Sequence, residues 1–128
     1  MYTHFKWQNS IKIYMDSLKN FTKILKTLSD ENRLRIAFML LYKPLCVCEI
    51  NEVLDIALST ISAHLKSMKY SGIIEDKKEG RWVIYKIVNN DNLIELIKYL
   101  YDKVKDDPVV IRDMEKLLTL NRQNIKCH

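Results

Sequence analysis

The hydrophobic period of the chain changes at Gly72. Before this glycine, Ile61, Leu65 and Met68 are spaced by four and three residues, as on one face of a helix. After it, over residues 73–88, the period becomes two, which is typical of β-strands. Only two Gly and two Pro occur in the 128 residues, so few breaks interrupt the rest of the chain and long helices are favoured. The sequence therefore predicts a mainly α-helical fold that carries one β-hairpin.

The segments around this change form a known supersecondary pattern. A short helix ends near Leu54 and a second begins near Leu58, and two short helices joined by a tight turn are a helix-turn-helix. The hairpin that follows has a charged turn containing Gly80, and a strand pair in this position is a wing. We therefore predict a winged helix-turn-helix, with residues 47–70 as the helix-turn-helix and 73–88 as the wing.

Side chains on the second helix and on the hairpin suit double-stranded DNA. Small polar residues early on a helix let its backbone enter the major groove, where hydroxyls reach phosphates or base edges. Basic residues on a hairpin can contact the phosphate backbone or the adjacent minor groove. The simpler alternative is a solvated helix face and a solvated turn. The predicted DNA contacts are Ser59, Thr60, Ser62, His64 and Lys66 on the helix, and Lys77, Lys78 and Arg81 on the hairpin.

Helices are also predicted on both sides of this unit. The whole order is four helices, two strands and two helices, within a single domain of residues 1–128. Residues 10–28 carry an apolar stripe at steps of three and four, which is either a core face or an intermolecular seam. The tail carries further stripes over residues 91–120, interrupted at Asp107–Pro108. Residues 121–128 have no apolar period and are expected to fray.

Charge and composition narrow the function classes. The net charge of +5 is compatible with a polyanionic partner. No apolar run approaches the roughly 18 residues of a membrane span, and the N-terminus lacks the apolar core of a signal peptide, so a cytoplasmic protein is expected. The chain also lacks a phosphate loop, a nucleophile–base constellation and a useful carboxylate cluster. We therefore expect a protein that is not an enzyme.

Two of the three cysteines, Cys46 and Cys48, are separated by one residue at the start of the helix-turn-helix. In a reducing cytoplasm this spacing indicates metal binding or redox chemistry rather than a structural disulfide. Thiolates select soft ions, namely As(III), Sb(III), Cd(II), Pb(II), Zn(II) and Cu(I). The alternative is that both side chains are small buried hydrophobic residues.

The spacing of the two thiols also has a geometric consequence. Successive residues of a helix turn by about 100°, so both sulfurs reach one ion only if the backbone there is not a regular helix. An ion would then deform the first turn of the helix that begins near Val47. Because this helix supports the DNA-reading helix, we expect DNA affinity to fall when the ion binds.

Four stretches give the sequence a specific resemblance. LSDENRLRIAFML, PLCVCEI, STISAHLKSMKYSGII and EDKKEGRWVIYKI follow one another between Leu28 and Val88. Together they resemble the ArsR/SmtB family of metal-responsive repressors. The resemblance implies a homodimer that represses an operon and releases its operator DNA when an inducer binds. It also implies that helices 10–28 and 91–120 form the dimer interface, which agrees with their apolar stripes; the residues assigned to it are Ile11, Tyr14, Leu18, Leu93, Ile97 and Leu100.

The Cys-Val-Cys stretch resembles the arsenic-sensing members of that family, which implies As(III) or Sb(III) as the inducer. In that type a third cysteine may complete a trigonal thiolate site, and its position is Asn51 here. Cys127 is then the remaining candidate for a third ligand, because the N-terminal arm that supplies cysteines in the cadmium- and lead-sensing type has none in this chain. The alternatives are a thiol-redox regulator and a regulator that acts without metal.

Other family positions depart from the pattern. A zinc site on the helix after the wing would fall at residues 89, 91, 102 and 105, where no imidazole occurs, so we expect that site to be absent. Ala57 and Leu58 replace the Ser-Gln pair that precedes the recognition helix in the family, which removes a base contact. Asp55 stands at the glycine of the turn, where it tolerates a left-handed backbone less well.

Overall fold

The computed structural model describes residues 17–125. The prediction of a mainly helical winged helix-turn-helix is confirmed. The predicted interface residues Ile11 and Tyr14, and the predicted ligand Cys127, lie outside the described residues. The elements are α1 (Leu18–Leu28), α2 (Glu31–Tyr42), β1 (Leu45–Cys46), α3 (Val47–Leu54), α4 (Leu58–Tyr70), β2 (Ile74–Glu79), β3 (Trp82–Ile87), α5 (Asp91–Val104) and α6 (Pro108–Leu118), followed by a 3₁₀ turn, Arg122–Asn124.

Short polar side chains set where several helices begin. The Ser17 hydroxyl accepts a hydrogen bond from the Asn20 N–H at 3.2 Å, and the Ser17 backbone is extended. The prediction of one continuous helix over residues 10–28 is therefore wrong, because the chain is not helical at Ser17. Asp30 caps α2 by accepting from the Arg33 N–H at 3.0 Å. Each cap satisfies an N–H that has no partner inside its own helix.

The wing belongs to a three-stranded antiparallel sheet with the order β1-β3-β2. Residues Ile74 to Glu79 pair with Ile87 to Trp82, and Gly80 in the turn has a φ of +62°, which favours glycine. Strand β1 was not predicted, because two residues are too few to show a period. It pairs Cys46 with Ile84, so the start of α3 is joined directly to the wing.

The tight turn between α3 and α4 is built around a left-handed residue. Asp55 has φ 54° and ψ 48°, and its N–H donates to the Asn51 carbonyl at 2.8 Å. The Asn51 side-chain amide donates to the Ile56 carbonyl at 2.5 Å. The residue that stands where a third cysteine was considered therefore holds the helix-turn-helix together.

Helix α2 lies at the centre of the core, with Ile36 and Met39 fully buried. The Arg35 guanidinium joins it to α6 through two hydrogen bonds to the Asp113 carboxylate, at 2.7 and 2.9 Å. Helix α5 contributes Leu93 and Ile97 to the same core. In the described part of the chain, no helix has the length and apolar character needed to cross a membrane.

Two residues assigned to the dimer interface need correction. Leu93 and Ile97 are 2% and 0% exposed within a single chain, so their side chains have no surface left for a partner subunit. The apolar stripe of α5 predicted a buried face correctly, but it could not tell which molecule covers that face. Leu100 is half-buried and Leu18 is exposed, so both remain at the surface.

Candidate nucleic-acid interface and thiol cluster

Helix α4 turns its predicted contact residues to solvent. Its apolar side chains Ile61, Leu65 and Met68 are buried against the core. The opposite side of the helix is exposed and carries small or basic residues, which leaves room for a phosphate backbone or a groove edge. Four of the five predicted contacts on this helix are exposed: Ser59, Thr60, Ser62 and Lys66.

His64 is the exception on this helix. It is half-buried, and its Nδ1 lies 3.3 Å from Nη1 of Arg33 on α2. Nδ1 of His64 therefore serves the packing of α4 on α2, and a DNA contact by the rest of this side chain stays a prediction. The helical pattern could not reveal this contact, since Arg33 lies 31 residues earlier in the chain.

The three basic residues of the wing differ in their surroundings. Lys77 lies 3.8 Å from the Glu79 carboxylate, and the Arg81 guanidinium stacks on the Trp82 ring at 4.8 Å from its centroid. Lys78 is exposed and has no ion-pair partner among residues 17–125. Among these three side chains, Lys78 therefore has the positive charge that its neighbours compensate least, and this charge is available to a phosphate.

The wing is also attached to α4 through an ion pair that the sequence did not suggest. The Lys69 ammonium lies 3.0 Å from Oδ2 of Asp76. Lys69 is in the last turn of α4 and Asp76 is in β2. The two predicted DNA-contacting elements are therefore in direct contact on one surface.

Cys46 and Cys48 lie together in a small buried cluster with Ile84 of β3. Cys46 precedes the first turn of α3, with an extended backbone at φ −92° and ψ 168°, whereas Cys48 is inside that turn. Cys46 therefore lies outside the regular helix, which is the condition under which both sulfurs can reach one ion. Cys46 is a free thiol and Cys48 is disulfide-bonded.

Glu49 is a buried neighbour of the cysteines that no sequence pattern indicated. Although only 2% exposed, its Oε1 accepts hydrogen bonds from the Cys46 N–H at 2.9 Å and from Nε of Arg122 at 3.0 Å. A glutamate three residues after a helix cap is a capping box, and Cys46 in place of Ser or Thr concealed that pattern.

Arg122 extends this contact to the wing. Its Nη1 lies 3.8 Å from the Glu79 carboxylate, and its guanidinium lies 5.5 Å from the centroid of the Trp82 ring. The expectation that the tail frays is wrong for Arg122–Asn124, which form a 3₁₀ turn docked against α3 and the wing. No pattern in the sequence pointed to Arg122, because its partners are at least 40 residues away.

Burial raises the pKa of the Cys46 thiol, and the neighbouring Glu49 carboxylate contributes in the same direction. Hydrogen bonds from nearby backbone N–H groups oppose the shift and stabilise the thiolate. The protonated thiol is thus favoured at neutral pH, and an ion that binds this sulfur must displace a proton.

The donor set fits a soft ion in part. Cys46 is a free thiol, and Cys48 becomes a second thiolate donor for a thiophilic ion once its disulfide is reduced. Within residues 17–125, no three His, Cys, Asp or Glu side chains are grouped so that they could hold a metal. A third protein ligand would therefore have to come from outside this range, where Cys127 lies, or from a partner subunit. At two positions of the family's zinc site, Asp102 instead pairs with Lys105 at 3.6 Å.

Comparison with known proteins identifies relatives of the chain. The model of the family described as "Bacterial regulatory protein, arsR family" matches residues 30–76. The cadmium resistance transcriptional regulatory protein CadC of Listeria innocua is 43% identical over 83 residues, which are 62% of this chain and 67% of CadC. The arsenical resistance operon repressor of Escherichia coli is 39% identical over 66 residues, which are 51% of this chain and 56% of that repressor.

A solved structure agrees in fold. The homodimeric winged helix-turn-helix DNA-binding domain Mb0332 of Mycobacterium bovis superposes with a TM-score of 0.62 at 24% identity, over 79% of this chain and 91% of that one. The sequence similarity is not limited to the helix-turn-helix, because the match to CadC covers 67% of that protein. The chain is a DNA-binding transcriptional regulator and belongs to the ArsR family.

Proposed function

We propose that the chain is a homodimeric, cytoplasmic repressor that binds operator DNA through α4 and the wing and releases it when As(III) or Sb(III) binds Cys46 and Cys48. The observation that carries this proposal is the shared buried cluster of Cys46 and Cys48 at the start of α3, in which Cys48 supplies its thiol once its disulfide is reduced. The position matters because α3 holds the turn that leads into α4. The resistance functions of the cadmium and arsenical relatives support a thiophilic inducer in general.

The release mechanism follows from the double role of Cys46. This residue caps α3 through Glu49 and pairs with Ile84 in the sheet. An ion on the Cys46 sulfur replaces its proton and draws it toward Cys48, which strains both contacts. Because α3 and the wing are the supports of the DNA-binding surface, their displacement moves α4 relative to the wing and lowers DNA affinity.

A homodimer supplies two copies of this surface. On α1, the side chains of Leu18, Phe21 and Leu25 lie on one face and are 82%, 38% and 49% exposed. Apolar side chains exposed at steps of three and four form a stripe that a second helix can cover. We propose that α1 and the surface of α5 near Leu100 contribute to the dimer, in line with the homodimeric Mb0332 domain.

The test measures DNA release by fluorescence anisotropy, with a duplex that the reduced protein has selected from a random pool. Arsenite should lower the affinity of the wild type and produce a thiolate-to-arsenic absorbance, whereas Cys46→Ser should keep its DNA when arsenite is added. The Cys127→Ser variant shows whether this thiol is the third ligand. Parallel titrations with Cd(II), Pb(II), Zn(II) and Cu(I) rank the ions. Full arsenite-induced release by Cys46→Ser would refute the proposed inducer.

A second candidate function is a thiol-redox regulator, which is favoured by the disulfide-bonded state of Cys48. Here peroxide accepts the electrons of two thiols, is reduced to water and leaves a disulfide. This candidate expects peroxide, and not arsenite, to release DNA, and a reductant to restore binding. A regulator that acts without metal would keep its DNA under both treatments.

A further inference from the structure

We propose that, in the protein whose Cys48 disulfide has been reduced, residues 121–125 form a latch that closes over the Cys46–Cys48 cluster and is fastened by Arg122, so that reagents and ions reach the sulfurs only when it opens. The latch deepens the proposed function by regulating access to the same thiols. Its existence is nevertheless independent of which ligand the thiols bind, because it rests on contacts within the chain.

The fastening is a buried ion pair. Glu49 is almost completely buried and has its Oε1 within 3.0 Å of Nε of Arg122. A carboxylate left without a cation at such a position is costly, so this pair holds the tail in place. Arg122 also contacts Glu79 and the Trp82 ring, which anchors the same side chain on the wing.

The 3₁₀ turn directs the next residue onto the thiols. Asn121 begins the turn by accepting a hydrogen bond from the Gln123 N–H at 3.0 Å, and the Asn124 N–H donates to the Asn121 carbonyl at 3.0 Å. Ile125 then packs against the buried cluster of Cys46, Cys48 and Ile84. The two cysteines are only 2% and 3% exposed as a result of this and the surrounding packing.

Of the parts around the thiols, the latch is the easiest to open. The other covering residues belong to α3 and to strand β3, whose backbones are held by helix and sheet hydrogen bonds. The latch is a single short turn closed by two backbone hydrogen bonds, from Asn124 to Asn121 and from Ile125 to Arg122, and segments with so few contacts open locally at a low free-energy cost. Thiol access should therefore follow latch opening rather than opening of the sheet.

Opening the latch also has a consequence at a distance. Arg122 is the residue that contacts both the cap of α3 and Glu79 near the tip of the wing. When Arg122 moves away from Glu49 and Glu79, the thiols become accessible and the wing loses one of its supporting contacts at the same time. Conversely, DNA that holds the wing in place should favour the closed latch.

The experiment measures thiol reactivity with the disulfide reagent DTNB on the full-length reduced protein, without DNA. A Cys127→Ser background restricts the reaction to Cys46 and Cys48. Arg122→Ala should increase the reaction rate by about tenfold, and Ile125→Ala by about fivefold. Arg112→Ala is the matched control, because Arg112 is an exposed arginine on α6 and its removal changes the net charge equally.

Circular dichroism melting curves show whether each variant is folded, and this determines which variant's reaction rate tests the latch. If Arg122→Ala keeps the wild-type melting curve, a rate equal to that of the wild type overturns the latch, and so does an equal acceleration by Arg112→Ala. If Arg122→Ala is unfolded, Ile125→Ala decides in the same way. Failure of the latch would leave arsenite-induced DNA release unaffected, so the two proposals are tested separately.

Discussion

The Nη1 atom of Arg33 lies 3.3 Å from Nδ1 of His64, and this contact joins α2 to α4, the helix that we propose contacts DNA. A guanidinium only donates hydrogen bonds, so Nδ1 of His64 must accept. The Nε of Arg33 donates at the same time to the Thr27 carbonyl at the end of α1, at 2.7 Å. Arg33 therefore fixes α1, α2 and α4 relative to one another.

Replacing His64 by alanine should lower the free energy of unfolding by about 1 kcal/mol, because one partly buried hydrogen bond is lost. Lys66→Ala, on the exposed side of the same helix, should leave stability unchanged and lower DNA affinity instead. Urea denaturation and fluorescence anisotropy measure the two quantities. Unchanged stability of His64→Ala with a larger loss of affinity than Lys66→Ala would instead indicate a direct DNA contact by His64.

Lys78 should contribute to DNA binding through its charge alone. Each phosphate contact adds close to one unit to the slope of log affinity against log salt, so Lys78→Ala should reduce this slope by about 1. Lys98→Ala is the control, because Lys98 is an exposed lysine on α5 and belongs neither to α4 nor to the wing. Anisotropy titrations over a range of salt concentrations give both slopes, and equal slopes for the two variants would contradict a role for Lys78.

The Arg35–Asp113 pair should contribute strongly to stability, because both side chains are largely buried, at 15% and 5% exposed. Asp113→Ala leaves the guanidinium buried without its partner, and we expect a loss of about 3 kcal/mol. Asp102→Ala is the comparison, since its pair with Lys105 is exposed and should be worth less than about 0.5 kcal/mol. Urea denaturation at one protein concentration measures both; similar losses would show that burial of the pair has little effect.

Asp30 makes α2 sensitive to acid. The hydrogen bond from the Arg33 N–H lowers the pKa of this carboxyl below its usual value of 3.8. Because this pKa is lower in the folded chain than in the unfolded chain, the ionised carboxyl stabilises the fold. The stabilisation is fully present at a pH above the pKa of the unfolded chain, and it is lost as the pH falls through the pKa of the folded chain. At neutral pH, Asp30→Ala should therefore cost about 1 kcal/mol as a lost helix cap.

The direction of the pKa shift of Asp30 is tested by urea denaturation of the wild type, Asp30→Ala and Asp30→Asn at neutral pH and in acid. The difference between wild type and Asp30→Ala should shrink in acid, because the wild-type carboxyl is then protonated. Asp30→Asn keeps an acceptor oxygen that does not titrate, so its difference from Asp30→Ala should persist. A wild-type advantage that grows in acid would contradict the lowered pKa.

How much the sequence predicted depended on the length of each pattern. The period of four and three around Ile61 and Leu65 located α4, and the change of period at Gly72 located the wing. Strand β1 and the Arg122–Asn124 turn were missed, because they are too short to show a period. The exposure of the predicted DNA contacts also followed from that helical period, with His64 as the exception.

The features that the sequence patterns did not predict depend on contacts between residues that are distant in the sequence. His64, Leu93 and Ile97 were assigned to surfaces because a helical stripe shows that residues share a face, not what covers it. Glu49 and Arg122 are joined across 73 residues, and only the folded chain brings them together. The thiol pair was located correctly, but its neighbours in β3 and the tail were beyond the reach of local patterns.

The direct passage from β1 into α3 limits how the proposed ion sensor can be re-engineered. Cys46 ends the strand and Val47 begins the helix, with no linker residue between them. One inserted residue would rotate the helix by about 100° relative to the sheet and carry Cys48 away from Cys46. Selectivity for a different ion must therefore be sought by exchanging side chains around the sulfurs, since the length of the chain between them leaves no freedom.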